Sequence, residues 1–377
     1  MLRLLASVSV ALAVAAVIAG AASAVPCGPS TCAPLSYAVP GSGVLLARPH
    51  GQQGPLVGYD LADAHVTSRL PDGVLSANGR RFVAASQGVD STLVGRYDPA
   101  TAAPLGSMKL GGTFILGAVS SDGRFAALSR GETNPEVAVV DLDASRVVRT
   151  VHLRGRWDVD ALSRDGRRLY LLEYAANGNY LVRVHEAGRG LVPGAITDPR
   201  EAEPMTGIPW SSIGSRDGQW QLTLYLKNGA ARTEPFVHAL SLTGAHAACI
   251  DLPGGDFMAA GRYALVLAPN GRTLYAANPS LGVVATIDLR RQKVVSTVRF
   301  ARRGAVDAQK SVAFGALSPD GKALYFTGGR GVLAYDTAAH VLRTRYYAGA
   351  VGGLAVDPVS GTLLVVRPDG TTARLRR

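Results

Sequence analysis

Cysteine is scarce: the 377 residues carry three, Cys27, Cys32 and Cys249. No CxxC pair and no Cys/His ligand spacing occurs, which argues against a structural zinc. Aromatic residues make up 6% of the chain, and Trp157, Trp210 and Trp220 are its only tryptophans, too few for a platform of stacked nucleic-acid bases. Charged residues are 18%, and no basic run exceeds two residues. The formal charge of +11 is therefore diluted. It suits solubility and weak counterion-release contact with acidic cell-wall polymers, not specific nucleic-acid recognition. No G-x-S-x-G elbow or phosphate-binding glycine loop stands between a strand and a helix. No catalytic residue, metal or cofactor is expected.

Apolar residues, at 47%, with 44 glycines and 21 prolines, exclude disorder and supply a large core. Residues 1–24 run from Arg3 through an apolar stretch, Leu4 to Ile18, to Ala22-Ser23-Ala24. Charge, hydrophobic run and small-residue site in that order predict a secretory signal peptide. A secreted or extracytoplasmic protein follows, at the cell surface or in the periplasm. Cleavage leaves a charge of +10 after loss of Arg3 and no membrane span. Residues 25–39 form a short segment in which Cys27 and Cys32 are placed to close a small loop in an oxidising compartment. Cys249 remains as the other possible partner.

One pattern recurs through residues 40–377: a small or polar residue, a turn ending in Gly, then a strand. Ser120-Ser121-Asp122-Gly123, Ser163-Arg164-Asp165-Gly166, Ser215-Arg216-Asp217-Gly218 and Ser318-Pro319-Asp320-Gly321 are the clearest copies. The glycines at 79, 123, 166, 218, 271, 321 and 361 lie 44, 43, 52, 53, 50 and 40 residues apart. Asp98, Asp141, Asp288 and Asp336 follow theirs by 19, 18, 17 and 15 residues and mark a second hairpin. Four strands per repeat of 40 to 50 residues predict an all-β chain, a single β-propeller. The period of two excludes helical solenoids. An eighth turn, Pro40-Gly41-Ser42-Gly43 with Asp60 beyond it, raises the strand count to eight blades.

Residues 272–300 resemble a repeat of the YVTN/YncE-like, WD40-like propeller family. Leu274, Tyr275 and Asn278 match its first half, and Ile287, Asp288, Val294 and Val295 its second. Ser318 to Val341 is a second copy, with Thr327 but Gly328 where the family often has Asn. The resemblance spans most of residues 40–375 and degenerates around 200–250. It implies a secreted or surface-exposed binding or scaffold protein with seven blades, the two chain ends sharing one. It brings no catalytic residue with it.

The Asp-Gly turns and the second hairpins open on one side of such a ring and are uniform. The opposite connections vary, and variable loops on a rigid scaffold are where recognition resides. They hold Arg154, Arg156, Asp158, Glu173, Arg200, Asp256, Arg302 and Asp307, arginines beside carboxylates suited to a protein, a peptide or a polar or anionic ligand. His65, His246 and His340 fall just before fourth strands. His152, His185 and His238 sit in strands or at their ends, and His50 alone falls in an opposite-face loop. A non-enzymatic binding or scaffold module using the variable face is the leading expectation. A propeller enzyme of lactonase or quinoprotein type, with its site at the central channel, is the competing one.

Overall fold

The computed structural model describes residues 36–48, 55–175, 179–200, 205–244, 246–301, 313–328 and 331–376. The expected signal peptide, Cys27, Cys32, His50, Arg302 and Asp307 lie outside them. Among the described residues no helix is long and apolar enough to cross a membrane.

Eight antiparallel sheets follow one another along the chain, each built from consecutive strands. Blade 1 spans Ser36 to Leu70, blade 2 Gly73 to Gly111, blade 3 Ile115 to His152 and blade 4 Arg156 to Leu191. Blade 5 spans Ile208 to Asp251, blade 6 Ala264 to Arg299, blade 7 Gly315 to Ala348 and blade 8 Gly353 to Leu375. Seven have four strands and the last has three among the described residues. Among the described residues the two ends lie in different blades, so the count is the eight given by the turns, not the seven implied by resemblance. Residues ahead of position 40 already belong to the propeller, because Ser36–Val39 pairs in full register with Val44–Ala47.

Eight apolar layers close the ring, each contributed by two neighbouring blades. The last joins Leu45, Val57 and Tyr59 of blade 1 to Ala355, Leu364 and Val366 of blade 8. Middle strands read as unbroken apolar runs because both faces are covered: Glu136–Asp141 has one half-buried residue followed by five buried ones. Outer strands alternate because one face meets water, as in Lys293–Arg299. Each aliphatic side chain taken wholly into these layers stabilises by about 1.5–3 kcal/mol.

The two repeated turns have one geometry each. Ser120, Ser163, Ser215 and Ser318 donate from Oγ to the Asp two residues on, at 2.8, 2.7, 2.6 and 2.6 Å. The same hydroxyls accept the backbone N–H five residues on. The glycines of these four turns hold φ between 69° and 74°, the left-handed region where a side chain is strained. In the second hairpin Asp60, Asp98, Asp141, Asp288 and Asp336 accept two backbone N–H groups of the turn. This is the Asx arrangement that makes Asp a turn former. Four residues on, Ala64, Ala102, Ser145, Gln292 and His340 all have positive φ. His340 thus occupies the left-handed corner itself, one position before the strand-starting site of His65.

Candidate functional site

Strand one of blade 4, Arg156–Leu162, pairs with Arg168–Tyr174 so that Arg156 faces Tyr174, Trp157 faces Glu173 and Asp158 faces Leu172. Cross-strand pairing and a period of two put Arg156, Asp158 and Tyr174 on one face and Glu173 on the other. The Arg156 guanidinium lies 5.1 Å from the Tyr174 ring centre, a cation–π contact. Loss of water pushes the half-buried Asp158 carboxyl up. The Tyr174 hydroxyl and the Arg156 charge pull it partly back. Trp157 Nε1 donates to the Arg154 carbonyl at 2.7 Å. Asn134 Oδ1 accepts the Gly155 N–H at 2.7 Å, which ties this corner to blade 3. Arg154 and Arg156 are exposed. Glu173 is held by Arg183 of the neighbouring strand.

Below this rim is a layer that departs from its apolar counterparts. Asp160 is the extra residue of a β-bulge between Val159 and Ala161, and a bulge re-aims a side chain. Its carboxyl is buried, Oδ2 has no hydrogen-bond partner among the described residues, and burial pushes it up to about 7. Tyr174, Tyr180, Tyr225 and Phe236 form a run of rings with centres 6.0, 5.8 and 5.4 Å apart. His238 meets Tyr225 edge-on at 5.9 Å. Among the described residues neither nitrogen of His238 has a hydrogen-bond partner. Burial pushes its imidazole down to about 4, against the pull of Asp198. Asp160, Tyr180, Tyr225 and His238 were not foreseen as site residues. The usable signal was a carboxylate inside the apolar run Val159-Asp160-Ala161-Leu162, since a charged residue in a buried strand is the informative kind.

The other expected residues do not join this group. Arg200 grips Asp198 at 2.9 and 2.6 Å, and Asp198 also accepts the Cys249 N–H at 2.8 Å. These donors hold the Asp198 carboxyl down at about 2. Arg200 thereby fastens its loop to the outer strand of blade 5. Asp256 caps the helical turn Phe257–Ala260 by accepting from Ala259 N at 2.8 Å. Among the described residues the one trio with metal-ligand spacing is Asp60, Asp63 and His65 on an exposed hairpin. There one Asp60 oxygen is engaged by the turn and Asp63 by His65.

Two concavities are larger than these contacts. One of about 450 Å³ runs along the axis between the inner strands of blades 1, 2, 5, 6 and 7. A basin of about 1080 Å³ lies across blades 3 to 5 on the side of the Asp-Gly turns, where only structural turns were expected. Arg124, Arg164, Arg167, Arg168 and Arg189 line it with Asp122, Asp165, Asp217 and Glu186. Glu186 holds Arg168 and Arg189, each at 2.9 Å, and Arg124 holds Asp141 at 2.8 Å. Most of its charge is thus paired internally. The arginines after two of its turn glycines, Arg124 after Gly123 and Arg167 after Gly166, were the sequence trace of this basin.

No family model matches the chain, and no curated protein does. Among solved structures it is similar to hydrazine synthase of Kuenenia stuttgartiensis, at 16% identity over 80% of this chain and 94% of that one, with a TM-score of 0.44. It is also similar to the β-propeller domain of Cps50 (Swd1) from Myceliophteria thermophila, at 11% identity, 80% and 94% coverage and a TM-score of 0.42.

Proposed function

We propose that the chain is an exported, non-enzymatic binding module of YVTN/YncE-like type. It recognises a carboxylate-bearing protein or peptide segment at the variable-loop rim of blade 4. The stacking of Arg156 on Tyr174 beside Asp158 carries this reading. A guanidinium held flat on a ring loses little freedom when it takes a carboxylate. Asp158 accepts a donor next to it, and Arg154 adds a second exposed cation. Export rests on the leader at residues 1–24. The net charge adds weak attraction to acidic wall polymers.

The test is titration of the mature chain with a glutamate-rich octapeptide at low salt. Arg154→Ala with Arg156→Ala should weaken binding at least tenfold. Arg164→Ala with Arg167→Ala, on the turn side, should leave it unchanged. Equal loss from both pairs would reduce the effect to net charge and overturn the reading.

One observation favours the enzyme alternative: two carboxyls two residues apart in one strand, with Asp158 half-buried and Asp160 shifted to about 7. Split carboxyl environments serve acid and base roles. Hydrolysis of δ-valerolactone that is lost in Asp158→Asn would replace the binding reading with this one.

A further inference from the structure

The axial opening is not central. Gly214 of blade 5 reaches Ala77 of blade 2, which leaves the space to blades 1, 2, 5, 6 and 7. The resulting cavity of about 450 Å³ has the volume of about 15 waters and falls within the range of small-molecule pockets. Its walls are apolar or small, with Val74, Leu265 and Phe314 among them. The charged side chains that line it are Arg216 and Asp217, both exposed and both in the turn after the inner strand of blade 5. The other polar side chains of the lining are neutral, Ser211, Ser212 and Gln221 among them.

An ionised ligand inside would lose hydration and meet no net counter-charge, since Arg216 and Asp217 are adjacent and opposite in sign. An apolar body with one or two hydroxyl or carbonyl groups would lose little and find donors and acceptors. We infer that the axial cavity is a binding site for an uncharged, mainly apolar small molecule, anchored by Ser211, Ser212 and Gln221. This site is independent of the blade 4 rim, and its test involves none of the rim residues.

Nile red, neutral and solvatochromic, is the probe, titrated into the mature chain and followed by its emission maximum. The expected result is one saturable site with blue-shifted emission. Ala38 lines the cavity and is exposed, so Ala38→Trp should fill the space, weaken binding at least tenfold and leave the thermal midpoint in place. Ser211→Ala with Ser212→Ala should keep the cavity open and weaken binding several-fold. That second variant decides the matter should the first fail to fold. Anionic anilinonaphthalene sulfonate should not displace the dye. Non-saturable binding, affinity unchanged in both variants, or displacement by the sulfonate would each overturn the inference.

Discussion

Gly214, in the inner strand of blade 5, lies against Ala77, in the turn after the inner strand of blade 2, so closely that a Cβ on Gly214 would stand 3.0 Å from that of Ala77. These blades are not neighbours in the ring, and their contact pinches the axis. Gly218 repeats the relationship one turn further on, where a Cβ would overlap Ser121 Oγ of blade 3.

Gly214→Val should therefore push the two blades apart. Overpacking of this kind costs about 1–3 kcal/mol. Removing the opposing methyl in Gly214→Val/Ala77→Gly should recover part of it, because contacting residues couple. Urea denaturation of the two single variants and the double variant measures the coupling. Strict additivity would show that the close approach does not exist in solution.

Gly166 and Gly321 separate two reasons for a turn glycine. Both have φ near +70°, so alanine at either bears the left-handed strain of about 1–2 kcal/mol. A Cβ on Gly321 meets nothing within 4 Å among the described residues, whereas one on Gly166 comes within 2.7 Å of the Phe125 ring. Gly166→Ala should be the more destabilising of the two, and Phe125→Leu should narrow the difference. Equal losses of thermal midpoint in the two alanine variants would count against the Phe125 contact.

Asp160 and His238 make the layer between blades 4 and 5 respond to pH in opposite senses. Asp160 rises from 3.8 to about 7, so its contribution is full below pH 3.8 and is lost as pH rises through 7. His238 falls from 6.5 to about 4, so its contribution is present above pH 6.5 and is lost as pH falls through 4. Between pH 4 and 6.5 the two slopes largely offset each other. Relative to the native chain, Asp160→Asn should expose a gain of about 3 kcal/mol on going from pH 4 to 6.5. His238→Phe should expose a fall of about 4 kcal/mol between pH 4 and 7. Unfolding free energies of the three proteins across that range check both signs. Parallel curves would mean that neither group is buried in its uncharged form.

Much of the scaffold was legible before folding because its signals are local. An Asp-Gly pair requires a left-handed corner wherever it occurs, and Asp98 or Asp336 finds its N–H partners two and three residues away. The candidate site was legible only in part. Arg156 and Asp158 sit two apart in one strand and so share a face. Their aromatic partner Tyr174 comes from the next strand, and the register that pairs it with Arg156 depends on a hairpin of seventeen intervening residues. Arg200 and Asp256 looked like recognition residues because their charge is visible in sequence, whereas their occupation by Asp198 and a helix cap is not.

Local turn chemistry and alternation thus determined the strands, the repeat and the number of corners, since each depends on residues within one hairpin of each other. Only the tertiary structure decided that blade 5 leans on blade 2 and that a carboxyl and an imidazole share the layer between blades 4 and 5. It also placed the larger hollow on the side of the uniform turns. Those outcomes depend on how eight nearly equivalent sheets settle around one axis, where small differences in side-chain volume, such as the missing methyl of Gly214, choose which distant parts of the chain touch.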